Sequence, residues 1–149
     1  MIRIASILCA LALIAGCKSE NQGNGGGPSV HALIESYMDH AQKEVDTRTA
    51  ATGEHAMHED EMRNIEKELQ ERCKTEEGRK SVGDHLNKHI NDVKNQVKEI
   101  ESRRNSLRVV GRELTPEESA WVGTGADEEI RHRRWAIGVL EKLLTRVGL

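Results

Sequence analysis

Leu86, Ile90, Val93, Val97, Ile100, Arg104 and Leu107 recur at alternating steps of four and three. That spacing puts all seven on one side of an α-helix and turns every position between them outward. A strand, with its period of two, would scatter the same residues over both faces. Such a narrow seam cannot be covered by its own helix and has to be buried against another one. The composition agrees, because 32% of the chain is charged, 2% is aromatic and phenylalanine is absent. Those proportions suit long exposed helices that meet along thin apolar lines. The chain is therefore expected to be all-α, an antiparallel bundle of three long helices with coiled-coil-like seams. It has four helices if the first breaks near Thr52-Gly53. The Leu86 to Leu107 seam is also a route to self-association.

The remaining helices carry their own signals. Ser29, just after Pro28, is placed to cap a helix that begins "VHALIESYMDHAQKEV", with Ile34, Met38, Ala41 and Val45 as its apolar stripe. Continued without a break, the stripe runs through Arg48, Thr52, His55, Glu59, Met62, Glu66, Leu69 and Cys73, so its middle is polar. Either the helix stops around "TRTAATG" and a second starts in a new register, or one helix runs from Val30 to Cys73 with its polar middle facing a partner. The seam helix is expected to start near Ser81, with Asp84 three residues on. Gly111 marks a turn. Thr115, Pro116 and Glu118 form a helix start with a capping box. The short helix carrying Trp121 is expected to stop at "GTG", and Thr124 with Asp127 to open a last helix whose apolar face is Ile130, Ile137, Leu140, Leu144 and Val147.

The first residues, "MIRIASILCALALIAGC", hold one basic residue (Arg3), an apolar run from Ile4 to Ile14 and then small residues, the three-part layout of a secretory signal. The run is too short to remain as a membrane-spanning helix. Its end, Ile14-Ala15-Gly16-Cys17, resembles the lipobox of bacterial lipoprotein precursors. That resemblance implies cleavage before Cys17, a diacylglycerol thioether on its sulfur and acylation of the new amine. More than one acyl chain on Cys17 makes a lasting membrane anchor without a transmembrane helix. Lys18 in the next position, rather than Asp, implies sorting to the outer membrane, facing the periplasm. The competing reading is a secreted protein cut earlier, with Cys17 an ordinary thiol. The expected divisions are a signal peptide at 1–16, lipidated Cys17 with a Gly-rich tether at 17–29, and a helical domain at 30–149. The tether's glycines follow a cleavage site and lack a Gly-Lys-Ser/Thr ending, so they are not a phosphate loop.

A formal net charge of -3 leaves no electrostatic footprint for nucleic acid, and Tyr37, Trp121 and Trp135 are too scattered to stack bases. There is no Gly-x-Ser-x-Gly elbow, His-Glu-x-x-His zinc motif or Cys-x-x-Cys-His haem attachment, so no catalysis is expected. With Cys9 removed and Cys17 lipidated, Cys73 is a solitary thiol in an oxidising compartment. It is a free thiol buried at a helix end, the first expectation, or it forms an intermolecular disulfide or serves as a soft metal ligand.

Histidine spacing offers one further chemistry. His40 and Glu44, His55 and Glu59, His58 and Met62, and His85 and His89 are each four apart and stack on one helical face. His55/Glu59 followed by His85/His89 resembles the ligand pattern of hemerythrin-like di-iron bundles. The pattern fails where His132 is followed five residues later by Ile137 instead of Asp, so a di-iron centre is not expected. A mononuclear site for copper, zinc or nickel would draw on His55, His58, Glu59 and Met62, with His85 and His89 from a facing helix. Two functional readings follow. One is a lipid-anchored envelope protein with an interaction or structural role, its partner another envelope protein or a second copy of itself; the other is a metal-binding lipoprotein for sequestration or sensing.

Overall fold

The computed structural model describes residues 27–48 and 53–149. Five α-helices follow in order: α1 (Val30–Thr47), α2 (Glu54–Arg72), α3 (Glu76–Val109), α4 (Pro116–Ala120) and α5 (Ala126–Arg146). No strand occurs among the described residues. The first long segment is two helices, and the bundle has four long members. The expected signal peptide and lipidation site, Cys17, lie outside the described residues, as do Thr52 and nearly all of the expected tether.

The helix ends follow from local chemistry. Ser29 caps α1 by accepting from the Ala32 amide at 3.1 Å. Gly53 precedes α2 at φ 71°, in the left-handed region that glycine enters freely. The long helix starts earlier than Ser81. Thr75 caps α3 by accepting from the Gly78 amide at 3.0 Å, and Glu76 and Glu77 sit at the positive end of the helix dipole. Thr115 and Glu118 close the expected capping box on α4. The expected stop at Gly123 does not occur. The chain passes from α4 into α5 through a wide π-helical turn, Trp121–Gly125, because its backbone bonds reach one residue further instead of breaking.

α1 and α2 form one antiparallel hairpin, α3 and α5 another, and these are the two most extensive helix contacts. Lys94 meets Glu141, Gln96 meets Arg133, and Arg104 meets Asp127, so α3 and α5 run in opposite directions. The hairpins share one apolar core at a single end. Leu33, Ile34 and Tyr37 of α1, Ile65 and Leu69 of α2, Val82, Leu86 and Ile90 of α3, and Leu140 and Leu143 of α5 are buried together there. Cys73 and Val147 belong to the same cluster. Beyond it α3 and α5 continue as a pair, with Val97, Ile100, Ala126 and Ile130 as a second small core beside Trp121. Truncating a fully buried leucine such as Leu69 or Leu86 costs about 2–5 kcal/mol, against less than about 1 kcal/mol for an exposed ion pair. The apolar seam, not the charge ladder, joins the helices.

The turn between α2 and α3 is tight. A Cβ at Gly78 would lie 1.9 Å from the Arg72 carbonyl oxygen, a clash with backbone, whereas a Cβ at Gly138 within α5 would meet nothing within 4 Å. Gly78→Ala is therefore expected to lower the unfolding free energy by about 1–3 kcal/mol, since the end of α2 must shift. Gly138→Ala is expected to raise it by about 0.5–1 kcal/mol by removing backbone freedom from the unfolded chain. Urea denaturation of the two variants beside the parent checks both signs.

Candidate functional site

Past the shared core the inward stripe of α1 turns polar, and the two hairpins enclose an open-sided groove of about 590 Å³. Ala41, Glu44, Val45 and Arg48 of α1 face it. Glu59, Met62, Arg63 and Glu66 of α2 line a second wall, and Trp135, Val139, Lys142 and Arg146 of α5 a third. Of these, Arg48 and Glu59 belong to the polar middle that interrupts the apolar stripe in the sequence. Glu44, only 6% exposed, accepts from Arg48 at 2.8 Å, so its buried charge is compensated within its own helix.

At the inner end, where groove meets core, one network joins three helices. The Tyr37 hydroxyl donates to Glu66 Oε1 at 2.8 Å, and Arg146 Nη1 donates to the same oxygen at 2.5 Å. Gln70 adds a bond from its side-chain amide to the Arg146 carbonyl at 2.8 Å. Burial of the phenol, and then its bond to a carboxylate that only accepts, push the Tyr37 hydroxyl from 10.0 up to about 12, outweighing the opposite pull of Arg146. Bonding to Glu66 raises Arg146 in turn.

The outer rim is charged unevenly. Arg63 pairs with Asp60 at 3.0 Å and lies 3.6 Å from Glu59. Lys142 has no carboxylate within 4 Å among the described residues. Four cations (Arg48, Arg63, Lys142, Arg146) stand against three carboxylates (Glu44, Glu59, Glu66) in the lining, in a chain whose net charge is -3. Trp135, stacked on His132 with ring centroids 5.6 Å apart, supplies the largest apolar surface of the α5 wall.

The six residues singled out for metal do not share one space. His58 is buried and turns to α1, where its Nδ1 lies 3.0 Å from His40 Nδ1. His55, one turn earlier, is half-buried, and its Nδ1 is enclosed without a hydrogen-bond partner among the described residues. Glu59 and Met62 belong to the groove. His85 bonds the Ser81 carbonyl of its own helix, and His89 meets His31 across the α1–α3 contact at 3.0 Å. Among the described residues no three ligating side chains converge to hold an ion as they stand. His31 is not among the ligands the spacing suggests and His40 is paired there only with Glu44, because only the register between helices sets these rings opposite His89 and His58. Cys73 is 6% exposed inside the core, and burial pushes its thiol up. A disulfide with another chain would require that end of α2 to open. No helix among the described residues is long and apolar enough to cross a membrane.

Tyr37 is the single tyrosine of the chain, which makes the network measurable. Its phenolate is expected to appear in a near-ultraviolet alkaline titration with a midpoint of about 12 in place of the ordinary 10.0, and Glu66→Gln is expected to bring the midpoint down. A folded value above the unfolded one means the contribution to stability is intact below pH about 10 and is lost as the pH rises toward the folded value.

No family model matches the chain, and comparison with curated proteins and with solved structures finds no match.

Proposed function

We propose that this chain is a lipid-anchored protein of a bacterial cell envelope. In this reading Cys17 holds it to the outer membrane, and the helical bundle docks an envelope partner in the groove between the hairpins. The observation that carries the docking role is the groove itself, a cleft whose apolar wall (Trp135, Val139, Met62) is rimmed by cations in excess. Apolar surface next to an uncompensated Lys142 suits a segment of another protein that presents apolar side chains and a carboxylate on one face. Binding sites of this kind draw most of their energy from a central aromatic and nearby arginines, with the charged rim setting orientation and encounter rate. The carboxylates of the lining fit binding better than turnover, since Glu44 and Glu66 are already engaged by Arg48 and Arg146. The anchor rests on the Ile14-Ala15-Gly16-Cys17 sequence and on a Gly-rich stretch that leaves the bundle free of the bilayer surface.

A photo-crosslinking residue in place of Val139, introduced in the host cell, is expected to trap one defined adduct whose mass separates a second copy of this chain from an unlike partner. Trp135→Ala and Lys142→Glu are each expected to weaken that adduct about ten-fold or more. The same probe in place of Val109, exposed at the far end of α3, is expected not to form it. An adduct that survives both substitutions, or none from the groove, removes the docking role.

The anchor has its own measurement. The mature protein is expected to begin at Cys17 with a diacylglyceryl and an acyl group in its N-terminal peptide mass, and Cys17→Ser to leave an uncut, unlipidated precursor. An unmodified Cys17, or a mature chain beginning elsewhere, would overturn it.

A further inference from the structure

Away from the groove, two imidazoles from different helices meet where α1 crosses α3. His31 Nδ1 lies 3.0 Å from His89 Nε2, with the rings 17° from parallel. The outer nitrogen of His31, Nε2, is 3.3 Å from Glu35 Oε1. One turn before His89 on α3, His85 places its Nδ1 2.8 Å from the Ser81 carbonyl oxygen.

These partners fix where the protons sit. A carbonyl oxygen only accepts, so His85 carries its hydrogen on Nδ1 and keeps a lone pair on Nε2. An ionised carboxylate also only accepts, so neutral His31 carries its hydrogen on Nε2 and turns the Nδ1 lone pair toward His89. His89 is then the donor, through Nε2. Burial, and then the neighbouring His31 and His85, disfavour protonation of His89. Glu35 and Asp92 act in the opposite sense and supply negative charge beside the three rings.

We propose that His31 Nδ1, His85 Nε2 and His89 Nε2 bind a divalent late transition-metal ion that staples α1 to α3. The ion binds both nitrogens from beside the line that joins them, the two rings turning to meet it, and the hydrogen between His31 and His89 moves to His89 Nδ1, leaving the ring neutral. Two of the three donors already face each other; His85 swings in from one helical turn away on binding. The outer nitrogens of two of the three rings are tied, His31 to a carboxylate and His85 to a backbone carbonyl, the pattern by which histidine ligands are oriented, with water completing the shell. Nitrogen donors without thiolate or thioether suit zinc(II), copper(II) and nickel(II) in preference to a monovalent soft ion. His40 and His58 also lie 3.0 Å apart, but no carboxylate or carbonyl holds the outer nitrogen of either ring among the described residues.

The test is calorimetric titration of the full chain, freed of metal with a chelator, with zinc chloride, paired with NMR of the imidazole nitrogens. One ion per chain is expected, with the resonances of His31, His85 and His89 shifting together. His31→Gln, His85→Gln and His89→Gln should each weaken binding about ten-fold or more, while His40→Gln with His58→Gln leaves it unchanged. Glu35→Gln removes only an exposed carboxylate, so it keeps the fold and should still lower the affinity about ten-fold. No saturable zinc binding by the folded chain, full binding by a folded His31→Gln/His89→Gln double variant, or loss confined to the His40/His58 variant would each overturn the site.

Discussion

The two hairpins bury apolar surface against each other at one end only, and the rest of the structure depends on that asymmetry. On α1 the inward positions are apolar from Leu33 to Tyr37 and then pass to Glu44 and Arg48. On α2 they are apolar at Ile65 and Leu69 but become Glu59 and Arg63 toward the helix start. Because the hairpin is antiparallel, both polar halves fall at the same end. Closing the bundle there would desolvate charges with too little apolar area to offset the cost, so the helices stand apart and leave a groove. α3 and α5, whose seams continue, stay paired beyond it.

The Tyr37, Glu66 and Arg146 network sits where that change happens. Glu66 is held by two donors from two other helices, which compensates its partial burial and fixes the lateral position of α2 against α1 and α5. Losing the carboxylate would leave a phenol deep in the core without its acceptor, a larger penalty than losing an exposed ion pair such as Lys94 with Glu141. The network therefore works as a positional lock at the inner end of the groove, while the leucines behind it supply most of the cohesion.

Much of the architecture is legible from residues four and three apart, because burial along a helix depends on the helix's own period. The Leu86 to Ile100 seam, the Thr115 to Glu118 box and the break near Gly53 are features of that kind. The start of α3 was displaced because Ser81 and Asp84 mimic a cap, while Thr75 precedes two glutamates that fit the helix dipole equally well. The π turn was read as a break because glycine and threonine weaken a helix on average; here the helix widens to pass through them. The histidines were the least legible part. Spacing within one helix puts His85 and His89 together, but whether His31 or His58 stands opposite depends on how two helices slide past each other, which no local pattern encodes. Thus His58 found His40, His89 found His31, and Met62 went to the groove.

A bundle fastened at one end behaves like a pair of tongs. From Tyr37 to the end of α1 at Thr47 the free arm is about 15 Å long, so a tilt of about 10° about the fastened end moves its tip by about 3 Å. On the proposed docking role, a groove hinged this way would admit guests of unequal girth without remaking the core, a tolerance that a uniformly packed bundle of the same length would lack.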